Sequence, residues 1–570
     1  MSIQCKLACC ILVFAGLAGS TPTFAKARNK GKDKDNNADV KFTSRTELVL
    51  VPTLVTDKSG GHITGLKKED FTVLENGAEQ KIATFEEIVS NSQRLSVPGK
   101  PNEFSNSLAD SSPGGRVTLI VLDFINTPYL DQTNARKELL KYLTESVDQR
   151  EPTALYTLTR SGIHVIHDVT TDPRVLVAAL HRVKGDLLQM VDKEGEVEAI
   201  NEVASRDRNA VLDAAVQSEE GKIRGMLQDV ELNFQSFEQR VAITYTLQGM
   251  QQVAQALAGF PGRKSLIWAG GGFPFSVSDN TMRLAPAGRD SLVDVLPMYE
   301  HTWQLLNNAQ IALYPLDVKG LQVAIVPSAT VLTPGSNYER NMSSQLLDTQ
   351  ATLQTFASMT GGRAYFNSND LARGFRDAVR DSAQYYMLGY YLDRSNIKSG
   401  WRKLAVKVKR DHVQVRARSG FFVTNSTVDP ESSRNADMSS ALQSPLDYTS
   451  LPVVARWDKI EPARDPAKKH VNYQLHLAVD PTMVNQSENN RVAVEFFALA
   501  KTVEGKIVDS PSGQRFDSHL TAEKLAVLRD AGVVYRGALD LAPGEYTVRF
   551  VVRDDLSGRI GSVAAPLKVE

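Results

Sequence analysis

Cysteine is almost missing from this chain: the three that occur, Cys5, Cys9 and Cys10, all fall within the first ten residues. Everything after them can form no disulfide and offers no thiolate for catalysis or metal binding, so stability must come from packed cores. A dominant charge is missing too. With 65 Lys and Arg against 66 Asp and Glu, the formal net charge is -1, and no global field draws the chain to nucleic acid or an anionic membrane. Long apolar runs are absent as well. The run from Leu7 to Gly19 falls short of the roughly 20 residues that a spanning helix needs, so no transmembrane anchor is expected.

What stands in that first segment reads as a cleavable signal peptide over 1–25. Lys6 precedes the apolar run, and the small-residue site Thr23-Phe24-Ala25 follows it. Cys9 lies at the start of the run, too early for a lipidated cysteine. The expected location is periplasmic or secreted. A length of 570 residues, at roughly 100 to 200 residues per domain, implies three or four domains.

Residues 26–39 are charged and nearly free of large apolar side chains, which predicts a disordered tether. Over 40–88 the pattern turns β-like, with Leu48 to Val55, Phe71 to Leu74 and Ile82 to Phe85 separated by Ser59-Gly60-Gly61 and Glu75-Asn76-Gly77. This predicts a small β-domain. Residues 89–114 and 424–450 read as polar linkers, the second as mobile as the tether. Over 451–570 the strict alternation of Val471, Tyr473, Leu475, Leu477 and Val479, with a turn at Pro543-Gly544, predicts a β-sandwich.

The stretch 115–423 differs. Val117 to Leu122 is a continuous apolar strand, as in a parallel sheet buried on both faces, and it ends at Asp123. Asp131 is the expected N-cap of the following helix. Strands at 154–159, 162–167, 265–268, 311–316 and 363–366 alternate with helices after Asp172, near 291–308 and over 344–359. Ile243, Leu247, Met250, Ala254 and Leu257 form one apolar stripe of a long helix. The alternation predicts a doubly wound α/β sheet. A charged helical insertion is expected at about 186–236, and strands at 385–392, 404–408 and 413–417 are expected to extend the sheet in antiparallel fashion.

Four segments together, Asp123 with Asn126-Thr127-Pro128, Leu266 to Pro274 with its Gly270-Gly271-Gly272 turn, Gly65 to Gly77, and Tyr385 to Phe422, resemble the bacterial von Willebrand factor type A-related family first annotated in acidobacteria. The resemblance covers about residues 45–425. It implies a central doubly wound sheet flanked by a small N-terminal β-domain and a C-terminal β-sandwich. It also implies a divalent-cation site of the Asp-x-Ser-x-Ser type at the carboxyl edge of the sheet, completed by a Thr and an Asp from two further loops. Asp123 keeps the first position. Ile125 replaces the first Ser, Thr127 stands at the second with Asn126 beside it, and Gly270 to Gly272 occupy the place of the last Asp. Thr170 or Thr171 is the candidate second-loop ligand, although Thr171-Asp172-Pro173 also makes an ordinary helix start. The set Asp123, Thr127 and Thr171 is thus a degenerate metal site, holding no cofactor or a weakly bound Mg²⁺.

Other chemistry is sparse. Gly259 to Ser265 lacks the order of a phosphate loop, and Gly270 to Gly272 lacks a dinucleotide fingerprint. No zinc-protease helix motif and no Gly-x-Ser-x-Gly elbow occurs. His164 and His167, three apart on a strand, face opposite ways. Tyr385, Tyr386, Tyr390, Tyr391, Phe421 and Phe422 are assigned to core. Lys403, Lys407, Lys409, Arg410, Arg416 and Arg418 are assigned to a solvated strand edge. The function expected is exported, non-enzymatic binding of a protein in the cell envelope or outside the cell, as adhesion or scaffold protein. The binding loops would be those of Asp123, Asn126, Thr127, Thr170, Thr171 and Gly270 to Gly272. The alternative is an extracytoplasmic hydrolase using Asp123, Asp168, Asp172 and the glycine loop.

Overall fold

The computed structural model describes residues 46–89, 102–106, 116–145, 151–182, 220–275, 295–321, 337–393, 398–423, 430–508 and 512–570. The expected signal peptide, the tether and the first part of the expected insertion lie outside the described residues. The protein is mixed α/β. Its first strands are β1 (Thr46–Thr56), β2 (Phe71–Glu75), β3 (Ala78–Gln80), β4 (Ile82–Val89) and β5 (Glu103–Ser105). Next come β6 (Thr118–Asp123), α1 (Tyr129–Glu145), β7 (Thr153–Thr159), β8 (Gly162–Thr170), α2 (Pro173–Arg182), α3 (Glu220–Leu257) and β9 (Lys264–Gly270). They are followed by α4 (Leu296–Asn308), β10 (Ile311–Asp317), α5 (Asn337–Thr360) and α6 (Leu371–Ala383).

β6 to β10 form one sheet in the order β10-β9-β6-β7-β8, parallel except for the edge strand β8. Its apolar runs bury both faces because successive side chains alternate. Leu119 and Val121 of β6 meet Ile243, Leu247 and Met250 of α3 and Trp303 of α4 in one core. Ile120 and Leu122 meet Leu139 and Tyr142 of α1 and Phe375 of α6 in the other. The stripe expected on α3 is buried throughout. Helix α1 starts at Tyr129, which places Asp131 inside its first turn and corrects the expected cap. Residues 363–366 form no strand; Tyr365 makes a single parallel bridge to Leu316.

The strands after α6 do not extend this sheet. β11 (Gln384–Asp393), β12 (Gly400–Val408), β13 (Gln414–Arg416) and β14 (Gly420–Val423) join the N-terminal strands in two four-stranded sheets, β13-β1-β11-β4 and β14-β12-β2-β3. Val49, Val51 and Tyr386 from the first sheet pack against Val73, Leu404 and Phe421 from the second. The N-terminal segment therefore builds no separate domain. Each half presents one apolar face that needs the other to be covered.

The described parts of two expected linkers are structured. α7 (Pro430–Gln443) buries Met438, Ala441 and Leu442, a one-face spacing on a helix, and Tyr448 is buried just beyond it. β5 pairs with β15 (Val453–Pro462) across Glu103 to Ser105. The C-terminal part is a sandwich of β19-β16-β15-β5 on β18-β17-β20-β21. Its strands are β16 (Lys469–Leu477), β17 (Arg491–Thr502), β18 (Ser512–His519), β19 (Val533–Leu541), β20 (Gly544–Asp554) and β21 (Ile560–Val569), with α8 (Ala522–Ala531) before β19. Among the described residues no helix is long and apolar enough to cross a membrane.

Candidate functional site at the sheet edges

Parallel strands place the ends of β6, β9 and β10 at one edge. Asp123 ends β6 there and is fully buried. Its Oδ1 accepts from the backbone N–H groups of Ile125 at 3.1 Å and Asn126 at 3.0 Å. Its Oδ2 accepts from Asn126 Nδ2 at 2.7 Å and from the indole Nε1 of Trp268, in β9, at 2.8 Å. Burial pushes the Asp123 carboxyl above its ordinary value, against the pull of these bonds. Asn126 Nδ2 also donates to Thr246 of α3 at 2.9 Å, and this ties the turn to the helix.

Thr127 is likewise engaged. Its hydroxyl donates to the Asp123 carbonyl and accepts from the Gly271 N–H at 2.9 Å. The glycine turn is packed against this loop. A Cβ on Gly271 would lie 2.6 Å from the Asn126 carbonyl oxygen, so no larger residue fits without moving backbone. Asp123, Asn126, Thr127 and Gly270 to Gly272 are thus brought together as expected.

Thr170 and Thr171 are not. β8 runs antiparallel to β7, so Thr170 pairs with Thr153, and Thr153 pairs with Thr118 at the opposite end of β6. At about 3.3 Å per residue, the five steps from Thr118 to Asp123 separate the two groups by on the order of 16 Å. Thr170 Oγ1 accepts from the Asp172 N–H at 3.2 Å, and Asp172 accepts from the Arg174 N–H at 2.9 Å as the cap of α2. The metal set Asp123, Thr127 and Thr171 therefore does not assemble, and the oxygens of the first two are already bonded within the protein. These residues do not fit the cation the resemblance implies. The hydrolase set fails for the same reason, because Asp168 and Asp172 sit toward the far edge from Asp123.

Residues absent from the expected set complete the carboxyl edge. Asp317 ends β10, buried, and accepts from the Lys319 N–H at 3.0 Å. Burial raises its pKa, Lys319 pulls it down and Asp131 pushes it up. The same Lys319 lowers Asp131, whose carboxyl is otherwise raised by burial. Around these groups Tyr129 is 44% and Leu321 58% exposed. At the β7–β8 turn, His164 Nε2 lies 2.8 Å from Ser161 Oγ and 3.0 Å from Thr159 Oγ1. Desolvation lowers the His164 pKa. Among the described residues no carboxylate orients that imidazole, as a nucleophile–base–acid triad requires.

The basic edge is only partly solvated. Arg416 is ion-paired with the buried Asp381, and Arg418 is buried. Of the aromatics assigned to core, Tyr391 is exposed and the others are buried. Among the described residues no three His, Cys, Asp or Glu side chains gather as metal ligands. No protein-family model matches the chain, and no curated protein matches it.

Proposed function

We propose that this chain is an exported, non-enzymatic protein-binding protein, an adhesion or scaffold component acting in the periplasm or outside the cell. Its central domain is read as a von Willebrand factor type A-like, doubly wound sheet, and the binding surface as the loops at that sheet's carboxyl edge. The observation that carries this reading is the closed state of Asp123: both carboxylate oxygens are filled by donors of the same chain. A group so held is not free to attack, transfer a proton or coordinate. The edge around it instead offers exposed Tyr129 and Leu321 beside Lys319. Apolar and aromatic side chains near a charge are the ordinary means of anchoring a protein partner. Open α/β sheets bind at this edge. Export rests on the N-terminal segment, and the partner is a protein of the envelope or its surroundings.

The test is site-directed photo-crosslinking in the native cell envelope. A photoreactive residue at position 321 or 129 is expected to trap a defined protein, and Lys319→Glu to abolish the trapping. The same probe at position 174, on the other edge, is expected to trap none. Equal trapping from both edges, or none from position 321 or 129, contradicts the proposal.

A further inference from the structure

At the amino edge of the central sheet, a cavity of ≈ 210 Å³ opens between β1, the C-terminal end of α4 and β14. Its lining includes Arg418, Asn307, Gln310, Leu48, Phe421 and Glu47. Arg418 is 9% exposed, yet its Nε has no hydrogen-bond partner. Burial lowers its pKa to about 10, against the pull of Tyr390 and of Glu47. The guanidinium rests on the Phe421 ring at 5.3 Å. Asn307, also 9% exposed, has an unpartnered Nδ2, and Gln310 an unpartnered Oε1. Buried polar atoms are nearly always bonded, and a buried cation without an acceptor is costly.

The nearby groups that would otherwise satisfy Arg418 are already used. The Glu75 carboxylate takes Arg402 and the Tyr390 hydroxyl. Of the helix-end carbonyls, Ala309 takes Lys264 Nζ at 2.7 Å and Asn307 takes the Gln310 N–H at 3.0 Å. What is left is a forked cation and an amide donor facing a small space with partly apolar walls.

We propose that this cavity binds a small monocarboxylate, with Arg418 and Asn307 holding the carboxylate and the Leu48–Phe421 side receiving a short apolar tail. Planar, two-toothed recognition is what a guanidinium offers a carboxylate. Glu47 in the lining repels a dianion such as phosphate about twice as strongly as a monoanion. The volume lies below the roughly 300 to 1,000 Å³ of drug-sized sites, which limits the ligand to a few carbons or to one end of a longer molecule. A free short-chain acid and the C-terminus of a peptide share this chemistry. The site is separate from the carboxyl edge, so it stands or falls independently of the binding surface proposed there.

Titration calorimetry of the full chain tests the assignment, using sodium butanoate, butanamide, sodium phosphate, and an acetylated Ala-Val-Leu peptide as acid and as amide. Butanoate is expected to bind at one site and butanamide not at all. Arg418→Met is expected to weaken butanoate by about tenfold or more, the value of one charged hydrogen bond, and Asn307→Leu to weaken it less. Tighter binding of the peptide acid than of butanoate, lost in the amide, assigns the ligand as a chain terminus; the reverse order assigns a free acid. Should Arg418→Met not melt cooperatively, Asn307→Leu and the butanamide comparison decide. No saturable butanoate binding to the wild type, unchanged binding in cooperatively melting variants, or phosphate binding in preference to butanoate overturns the proposal.

Discussion

At the carboxyl edge of the central sheet the buried charges are acidic, Asp123 and Asp317; at the amino edge Arg263, Lys264 and Arg418 are basic, and a buried acid there, Glu151, is ion-paired with Arg116. The helices between the strands explain the division. α1 begins at the carboxyl edge, where backbone N–H groups are unpaired and the helix dipole is positive, and the Asp123 turn leads into it. α4 and α5 end at the amino edge, where their last carbonyls are free to accept. Lys264 Nζ donates to the Ala309 carbonyl at 2.7 Å and Arg263 to the Gly361 carbonyl at 2.6 Å. The two edges differ in closure as well as in sign. Asp123 has four donors, while Arg418 faces a cavity with its Nε unpartnered. The fully bonded Asp123 holds structure together, and the cavity beside Arg418 is where we propose that a ligand binds.

Three substitutions grade the amino-edge cations by the partners they have. Arg416 has a carboxylate: Asp381 is 3% exposed and bonds both Arg416 and the Tyr314 hydroxyl. Asp381→Ala leaves that cation uncompensated and is expected to cost about 3 to 5 kcal/mol in urea unfolding. A cost below about 1 kcal/mol would mean that the pair does not join the sheet of β1 and β13 to the central sheet.

Lys264 has only a carbonyl, and burial pulls its pKa down to about 7 from 10.5. Because the folded pKa lies below the unfolded one, its contribution to stability is full above 10.5 and is lost as pH falls through about 7. Relative to Lys264→Met, the wild type is expected to gain on the order of 1 kcal/mol per pH unit across that window. A difference independent of pH would show that the ammonium is hydrated. Arg418 has no such partner. Arg418→Met in ligand-free protein is therefore expected to leave stability unchanged or to raise it, since a buried charge is removed and no bond of Nε is lost. A loss as large as that of Asp381→Ala would place a structural partner in the cavity.

Much of this division was readable in advance. Val117 to Leu122 ending at Asp123 gave the strand and its edge, and the stripe Ile243 to Leu257 gave the face of α3. The misplacement of Thr170 and Thr171 came from strand direction, which alternation of helices and strands leaves undefined. The needed signal was present at the β7–β8 turn. Thr159 and Gly162 are separated by Arg160 and Ser161 alone, too few residues for the crossover a parallel neighbour needs. Arg418 was hidden differently. It follows Lys407, Lys409 and Arg410, which are solvated, and no local pattern tells a buried cation from its exposed neighbours. Trp268 was legible only as the end of a strand; it lies in the core, and its indole N–H also completes Asp123, a pairing 145 residues apart that only the fold brings about.

The closure of Asp123 is tested most directly by unfolding free energies of the wild type and Asp123→Ala, each measured with chelator and with millimolar Mg²⁺. The substitution orphans the Trp268 and Asn126 donors while relieving a buried charge, and is expected to cost about 1 to 3 kcal/mol, equally in both conditions. Stabilisation of the wild type by Mg²⁺, abolished in Asp123→Ala, would show that a cation and not the indole and amide holds the carboxylate.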